Sequence, residues 1–255
     1  GAPDSLQLLV QAATDPNPAD RPSDVREFLR MLDDVEEELT APEPERGALP
    51  ADARQGDLLT GGFKVLRCLG AGSTCHALAV ENPEGQQGVL KVAKDPSFHE
   101  RLRQEYDTLL DVPHPNIVKA FGIHEIDGLT AIFIEQAGHR TMGQRLREQG
   151  PLSLDLLERF GDELLVVLVH LEREGINHRD IKPENIGLGE TRKRALTLKL
   201  FDFSLARAPA ENIRAGTPPY LDPFLSLRQP PRWDLHAERF AAAMAAPAVD
   251  AQMQR

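Results

Sequence analysis

Short apolar runs separated by glycine-rich or Asn-Pro-Glu-Gly turns fill the middle of the chain, a pattern typical of antiparallel strands. The runs predicted to be strands are FKVLRCL, HALAV, VLKVA, IVKAFGIHEI and LTAIFIE. The last two flank Asp127-Gly128, a dipeptide that favours a tight hairpin. The amphipathic segment SFHERLRQEYDTLL, which lies between the third and fourth runs, predicts a helix.

A long helix is predicted for LDLLERFGDELLVVLVHLERE, in which apolar residues recur with a helical period. The positions expected to face the core are 157, 160, 164, 165, 168 and 171. RALTLKLF predicts a further strand that ends at Asp202. A hairpin-rich first half followed by a helical second half predicts an α+β protein with two lobes.

The first 57 residues differ from the rest in texture and in charge. Residues 5–14 and the segment DVREFLRMLDDVEEEL predict two helices, the second capped by Ser23. Residues 40–57 are polar and Pro-rich, and we interpret them as a linker. Residues 1–57 hold 14 acidic and 5 basic side chains, so they carry −9 of the net charge of −11. The acidity therefore belongs to the N-terminal segment.

Composition excludes several classes of protein. Of the 255 residues 41% are hydrophobic, enough for a sizeable core, yet no apolar run reaches the roughly 18 residues of a membrane span. Two cysteines are too few for a disulfide scaffold, and we expect a reducing, cytoplasmic setting. No Cys/His cluster has zinc spacing. The sequence shows no basic face of the kind that would predict nucleic-acid binding. The basic residues 192–194 are interpreted as a solvated hairpin tip.

Three features of the sequence point to chemistry, although the first two also have structural interpretations. Gly70 and Gly72 lie between two predicted strands, where backbone amides either approach a phosphate or form a hairpin turn. Lys91, in an apolar strand, either pairs with an anion such as Glu105 on the next helix or reaches solvent at a strand edge. HRDIKPEN, residues 178–185, brings an Asp, a Lys and an Asn into one Pro-containing loop.

In this order the features resemble the signature of the eukaryotic-type Ser/Thr protein kinases: a Gly-rich loop, a strand Lys, a helix Glu, H-R-D-x-K-x-x-N and D-F-G. The matching residues here are Gly70 and Gly72, Lys91, Glu105, His178-Arg179-Asp180 through Asn185, and Asp202-Phe203-Ser204. AGTPPYLDPF resembles the family's peptide-binding segment G-T-x-x-Y-x-A-P-E. RWDLHAERF resembles the helix that anchors the catalytic loop, with Asp234 in the anchoring position.

The resemblance implies a bilobal protein-kinase-like fold, with a β-rich N-lobe at residues 58–137 and a helical, incomplete C-lobe at residues 138–255. It implies ATP and Mg²⁺ as cofactors, with Asp180 accepting the proton of the substrate hydroxyl and Lys182 reaching the transferred phosphate. The implied nucleotide-binding residues are Gly70, Gly72, Cys75, Lys91, Glu105, Glu135 and Ala137. The implied metal ligands are Asn185 and Asp202. The implied structural or regulatory residues are His178, Arg179, Glu211, Thr217 and Asp234.

Three positions depart from the family's pattern without removing a catalytic group. Cys75 replaces the third Gly of the loop, and Ser204 replaces the Gly of D-F-G. Phe224 replaces the Glu of A-P-E, and a structural ion pair with a late Arg is expected to be missing. A regulatory pseudokinase or nucleotide-binding interaction module therefore remains a rival interpretation. A small-molecule kinase of the same fold is a third, which the resemblance of GTPPY to a peptide-binding segment disfavours.

Control by phosphorylation is not expected. Residues 202–224 contain three hydroxyls, at positions 204, 217 and 220, and none in the middle stretch LARAPAENIRA. In the family, an Arg at the position of Arg179 meets an activating phosphate on this segment. We predict that Glu211 takes the place of that phosphate. The alternative is that Glu211 is a solvated charge and that Arg179 bonds to backbone carbonyls.

A larger protein is expected around this chain. Residues 1–39 resemble the last two helices of a kinase C-lobe, and we interpret them as the tail of a preceding kinase-like domain. The alternative is that they pack against the following domain in place of its missing helices. The run FDFSLARAP…IRAGTPPYLDPFL resembles large bacterial phage-defence kinases of the phage-growth-limitation or BREX type. The implied partners are a protein substrate and other domains of the polypeptide, without nucleic acid or membrane.

Overall fold

The computed structural model describes residues 4–17, 21–40, 48–190 and 195–245. The chain divides into two compact units, residues 1–46 and residues 47–255. The signature motifs, from the Gly-rich loop to GTPPY, all fall in the second unit. The predicted hairpin tip at 192–194 lies outside the described residues.

The first unit contains two helices, α1 (Asp4–Ala13) and α2 (Val25–Thr40). Helix α2 begins after Asp24, whose carboxylate accepts hydrogen bonds from two backbone N–H groups of the first turn, at 2.8 and 2.9 Å. The prediction that Ser23 caps this helix is therefore wrong. Ser23 donates its hydroxyl to Glu27 instead (2.6 Å), because Asp24 lies one residue closer to the N–H groups that need an acceptor.

The N-lobe of the second unit is built on six strands: β1 (Leu58–Leu59), β2 (Phe63–Ala71), β3 (Cys75–Glu81), β4 (Gln87–Ala93), β5 (Ala120–Ile126) and β6 (Leu129–Ile134). Within the described residues they form one antiparallel sheet in the order β1-β2-β3-β4-β6-β5. All five predicted strand runs are confirmed. Asp127 and Gly128, with φ of 50° and 78°, form the predicted tight turn between β5 and β6.

Strand β4 separates two hydrophobic layers because its side chains alternate between the two faces of the sheet. Leu90 and Val92 enter the layer formed with β2 and β3. Ala93 enters the opposite layer, which includes helix α3 (His99–Asp111) and continues into the C-lobe. Lys91 and Ala93 are two residues apart on the strand, so their side chains lie on the same face of the sheet. Lys91 therefore faces α3.

The C-lobe contains three α-helices and a three-stranded sheet among the described residues: β7 (Arg140–Thr141), α4 (Met142–Gln149), α5 (Leu154–Arg173), β8 (Ile186–Glu190), β9 (Leu196–Leu200) and α6 (Leu235–Ala245). The predicted long helix is α5. Leu165, predicted to face the core, is exposed. Val167 is buried in the core instead, because a rotation of about 100° per residue turns Leu165 away from the face that buries Leu164, Leu168 and Leu171.

The second half of the predicted linker, residues 48–57, packs against the N-lobe sheet and is not a linker. Gly56 donates its backbone N–H to the carbonyl of Val65 on β2 at 2.8 Å. Ala53 is buried in the hydrophobic layer on that side of the sheet. This backbone pairing could not be predicted from the polar, Pro-rich composition of the segment. Residues 41–47 lie outside the described part of the chain.

Two glycines allow the hinge, residues 135–139 between β6 and β7, to approach β8 closely. Gly138 has a φ of 140°, and a Cβ atom there would lie 2.0 Å from the carbonyl oxygen of Leu188. A Cβ atom at Gly187 would lie 2.3 Å from the Cβ of Ala137. Both glycines are therefore required where the hinge lies against the C-lobe.

Gly138→Ala is expected to lower the free energy of unfolding by roughly 3 kcal/mol or more, because the new methyl group meets backbone and the φ is unfavourable. The matched control is Gly161→Ala, in the middle of α5, where an added Cβ meets nothing within 4 Å. That change is expected to raise the free energy of unfolding by up to about 1 kcal/mol. Guanidinium unfolding of the two variants measures the difference, and equal effects would contradict the close approach.

Candidate active site

A buried lysine joins two carboxylates at the centre of the second unit. The Nζ atom of Lys91 lies 2.7 and 2.9 Å from the two carboxylate oxygens of Glu105, and 3.0 Å from Oδ1 of Asp202. Strand β4 presents Lys91, helix α3 presents Glu105, and the segment after β9 presents Asp202. The structural alternative, in which Lys91 extends to solvent at a strand edge, is excluded because Lys91 is buried in a central strand.

The charges of Lys91 and Asp202 stabilise each other. Burial alone would lower the pKa of Lys91, but Asp202 and Glu105 raise it above its ordinary value, so the ammonium is charged. Burial alone would raise the pKa of Asp202, but Lys91 holds it below its ordinary value. Ser204 contributes a hydrogen bond that lowers the same pKa. The cluster therefore holds an ionised carboxylate next to a fixed cation.

The loop HRDIKPEN holds Asp180 by both carboxylate oxygens. Its Oδ2 accepts hydrogen bonds from Lys182 Nζ (2.6 Å) and Asn185 Nδ2 (3.0 Å). Its Oδ1 accepts one from the hydroxyl of Thr217 (2.6 Å), which also accepts a hydrogen bond from Lys182 (2.8 Å). The sequence predicted that these residues converge, and the structure brings them together through the short helical turn Pro183–Asn185.

The residues predicted to bind a metal ion have donors suited to Mg²⁺. Asp202 is an ionised carboxylate, and the amide nitrogen of Asn185 is bound to Asp180, which leaves its amide oxygen for a cation. No group of three or more His, Cys, Asp or Glu side chains that could hold a metal ion is found in the described residues. A site with few protein ligands fits Mg²⁺, which usually keeps waters and binds substrate phosphates.

His178 supports the segment that carries Asp202. Its Nε2 lies 3.0 Å from the carbonyl oxygen of Phe201, and its ring packs edge-on against Phe203 with centroids 4.5 Å apart. Burial lowers the pKa of His178, which favours the neutral imidazole. Arg179 and Asp202 both adopt positive φ, 67° and 68°, a conformation that non-glycine residues adopt rarely and mostly where surrounding contacts fix it.

The catalytic loop is anchored by Glu238, so the prediction that Asp234 anchors it is wrong. Glu238 Oε1 accepts hydrogen bonds from the backbone N–H of Arg179 (2.7 Å) and from Trp233 Nε1 (2.8 Å). Asp234 lies at the beginning of α6, where it accepts backbone N–H groups at 3.0 Å and pairs with Arg228. Helix α6 is oriented so that Glu238, at the end of its first turn, faces the loop, and Asp234, which precedes the helix, does not.

Burial raises the pKa of Glu238 to about 7. Its role was not predicted from the sequence. A single acidic residue on the buried, otherwise alanine-rich face of AERFAAAMA was the available signal, because a buried carboxylate requires hydrogen-bond donors.

The prediction that Glu211 pairs with Arg179 is also wrong. The guanidinium of Arg179 donates a hydrogen bond to the backbone carbonyl of Pro209 at 2.8 Å. Its Cζ atom lies 5.9 Å from the centroid of the Trp233 ring. Glu211 is exposed, and no ion pair joins it to Arg179 in the described chain. Burial lowers the pKa of Arg179, and the charges of Glu238 and then Glu211 oppose that effect, so Glu211 acts on the cation through its charge and not through an ion pair.

Cys75 lies after the Gly-rich turn, but its side chain does not face that turn. It is the first residue of β3, pairs with Ala93 and is buried in the hydrophobic layer next to α3. Burial raises the pKa of its thiol, an effect that the charge of Lys91 opposes. Its side chain packs as a small hydrophobe, and its assignment to the nucleotide site stays a prediction. Gly70 and Gly72 remain in the turn as predicted, and a Cβ atom at Gly70 would meet nothing within 4 Å.

The hinge residues Glu135 and Ala137 also make protein contacts. The carboxylate of Glu135 pairs with Lys199 on β9 at 2.9 Å and accepts the N–H of Lys119 at 3.2 Å. This side chain is thus committed to linking the hinge with the strand that leads to Asp202. Ala137 lies against β8, as its approach to Gly187 requires.

The expected loss of a structural ion pair at Phe224 is compensated nearby. Asp222, two residues earlier, is buried and pairs with Arg228, which also pairs with Asp234. The segment around Asp222 is therefore fixed by a short-range ion-pair network, at the place where the family's ion pair with a late arginine was expected to be missing.

A protein-family model described as Protein kinase domain matches residues 63–229. This chain belongs to the protein kinase family. The resemblance to eukaryotic-type Ser/Thr protein kinases and the bilobal α+β fold are confirmed. No helix within the described ranges of this kinase is long and apolar enough to cross a membrane.

Three curated relatives show the range of similarity of this kinase. Probable kinase PglW of Streptomyces coelicolor is 39% identical over 96% of this chain and 18% of that protein. Serine/threonine-protein kinase PrkC of Bacillus subtilis is 27% identical over 60% of this chain and 24% of its own length. Serine/threonine-protein kinase cds1 of Schizosaccharomyces pombe is 28% identical over 64% of this chain and 35% of its own length. The chain thus spans only about a fifth to a third of these relatives.

Glu238→Ala is expected to impair this kinase more than Asp234→Ala. The first change leaves two buried donors, the N–H groups of Arg179 and Trp233, without an acceptor, at about 1–3 kcal/mol each. It also frees the backbone next to Asp180, so the turnover number should fall. Asp234→Ala removes a helix cap, at about 1 kcal/mol. Denaturant unfolding and phosphoryl transfer measured on both variants test the assignment, which equal losses of activity would contradict.

Thiol labelling separates the two cysteines of the kinase. Cys68 is exposed on β2 and should react with an alkylating reagent, whereas buried Cys75 should remain unmodified with or without ATP. Mass spectrometry of the intact protein should therefore show one label, and none for Cys68→Ser. Rapid labelling of Cys75 in the Cys68→Ser protein, suppressed by ATP, would contradict the inward orientation.

Proposed function

We propose that this kinase domain transfers the γ-phosphoryl group of ATP to serine or threonine hydroxyls of a protein. The observation that supports it best is the position of Asp180, whose two carboxylate oxygens are fixed by Lys182, Asn185 and Thr217. Phosphoryl transfer depends mainly on positioning and on compensation of negative charge. A fixed carboxylate beside a fixed cation meets both needs.

Each residue has a defined part in the proposed transfer. Asp180 orients the acceptor hydroxyl and accepts its proton as the hydroxyl oxygen bonds to the γ-phosphorus and the bond to the β,γ-bridging oxygen breaks. Lys182 offsets the charge of the transferred group. Lys91, held by Glu105, binds the phosphates that leave with ADP. Mg²⁺, held by Asn185 and Asp202, supplies charge neutralisation at the phosphates when bound.

Specificity for serine and threonine is proposed from Lys182 and Thr217. The hydroxyl of Thr217 connects Asp180 with Lys182, so the peptide-binding segment and the catalytic loop meet at the proposed base. A lysine two residues after the catalytic Asp resembles the Ser/Thr-specific branch. The same junction disfavours a small-molecule acceptor, and the joined catalytic groups disfavour a pseudokinase.

For the whole protein, we propose a cytoplasmic, multidomain kinase with a role in bacterial phage defence. The domain proposal rests on residues 1–39, which resemble the end of a kinase C-lobe, and on the small share of PglW that this chain spans. The phage-defence proposal rests on the resemblance of residues 201–225 to kinases of such systems. A plaque assay in a host that carries the whole protein, compared with its Asp180→Asn variant, tests this role. Equal phage resistance in the two strains would refute it.

Asp180→Asn is expected to lower the turnover number by about 10²- to 10⁴-fold while leaving ATP affinity largely unchanged, because Asp180 addresses the acceptor hydroxyl. Lys91→Met is the matched comparison and is expected to weaken nucleotide binding as well. Transfer of radiolabelled phosphate to a generic acceptor or to the chain itself, together with calorimetry of ATP binding, measures both effects. An Asp180→Asn protein that keeps its turnover but loses ATP affinity would overturn the assignment.

A further inference from the structure

An arginine outside the signature motifs joins the activation segment, residues 202–224, to helix α3. Arg207 donates from Nε to the hydroxyl of Thr108 at 3.0 Å and from a terminal nitrogen to the carboxylate of Asp111 at 2.6 Å. The two contacts use adjacent sides of the planar guanidinium, a geometry that arginine provides and lysine does not. The contact therefore fixes direction as well as distance.

The position of Thr108 on its helix links this contact to the catalytic cluster. Thr108 lies three residues after Glu105, so both side chains share one face of α3. Both are buried, and Thr108 is further held by donating its hydroxyl to the carbonyl of Gln104 at 2.6 Å. A rotation of α3 that withdrew Glu105 from Lys91 would also withdraw Thr108 from Arg207.

These contacts form a closed ring. Lys91 binds both Asp202 and Glu105, and α3 carries Glu105 together with Thr108. Arg207 binds Thr108, and the backbone of residues 203–206 joins Arg207 to Asp202. We propose that Arg207 is a positioning residue that holds α3 in the orientation required for nucleotide binding, and that it does so without phosphorylation. This inference rests on the proposed function, because it assigns Lys91 and Glu105 to the nucleotide.

The middle of the activation segment is held at residues 209 and 210 by uncharged acceptors, which supports independence from an added phosphate. Arg179 bonds to the carbonyl of Pro209, and Trp233 donates its backbone N–H to the carbonyl of Ala210 at 2.7 Å. The segment has no hydroxyl between Ser204 and Thr217. Arg207 thus supplies directly the connection to α3 that a phosphate on this stretch would otherwise have to create.

The side chains of Arg207 and Asp111 are 43% and 57% exposed, so their charge attraction alone is weak. The buried Thr108 hydroxyl and the fork geometry must provide the rest. We therefore expect Arg207→Ala to weaken ATP binding about five- to tenfold and Arg207→Lys to recover only part of that loss. The control is Arg103→Ala, which removes an exposed arginine from the same helix and should leave ATP affinity unchanged.

The experiment is a double-mutant cycle with Arg207→Ala and Asp111→Ala in phosphatase-treated protein. It measures ATP affinity by calorimetry, KM for ATP, the turnover number, and amide hydrogen exchange of residues 99–111. We expect Arg207→Ala to raise KM and to speed exchange in α3, and we expect the double variant to be no worse than Arg207→Ala alone, because one contact is lost once.

Three results would overturn the inference: ATP affinity and α3 exchange in Arg207→Ala equal to those of Arg103→Ala, a further loss of ATP affinity when Asp111→Ala is added to Arg207→Ala, or full recovery by Arg207→Lys. Calorimetry and exchange do not require catalysis. If the wild-type chain binds ATP but transfers no phosphate, the proposed function fails while these two measurements still decide the role of Arg207.

Discussion

The buried ammonium group of Lys91 is the constraint on which the arrangement of this kinase depends. A charge in the middle of an apolar strand destabilises the fold unless anions reach it. Glu105 comes from helix α3 and Asp202 from the segment after β9, so the two carboxylates bring separate parts of the chain to one point. The same three groups hold the charge that the proposed nucleotide site needs. The stability of the fold and the proposed nucleotide site therefore both require α3 to pack with Glu105 next to Lys91.

A second buried charge fixes the other half of the site. Glu238 accepts hydrogen bonds from the backbone N–H of Arg179, in the catalytic loop, and from the indole N–H of Trp233. Helix α6 therefore holds the loop in place. The pKa of Glu238 is raised to about 7 because its carboxylate is buried among alanines. Asp180 owes its position to this support and to Lys182. The carboxylate of Asp180 is thus positioned, through the loop backbone, by the carboxylate of Glu238, which lies outside the signature motifs.

Departures from the family's pattern are compensated by neighbouring contacts. Ser204 adds a hydrogen bond to Asp202, so the loss of the D-F-G glycine strengthens the ionised state of the carboxylate. Asp222 pairs with Arg228 where Phe224 cannot form an ion pair. Local contacts also hold the activation segment. Glu211 was expected to do this, but the backbone carbonyls of Pro209 and Ala210 and the side chain of Arg207 make these contacts instead.

The sequence by itself determined the strands, the long helix and the residues of the signature motifs, because each depends on local period or on spacing within one loop. It also predicted the pair of Lys91 with Glu105. Only the tertiary structure decided which face of each helix is used: Glu238 and not Asp234 supports the loop, and Leu165 is exposed. It also decided that Cys75 points inward and that residues 48–57 pair with the sheet. These outcomes depend on rotations and on backbone partners distant in sequence, which local periodicity does not specify.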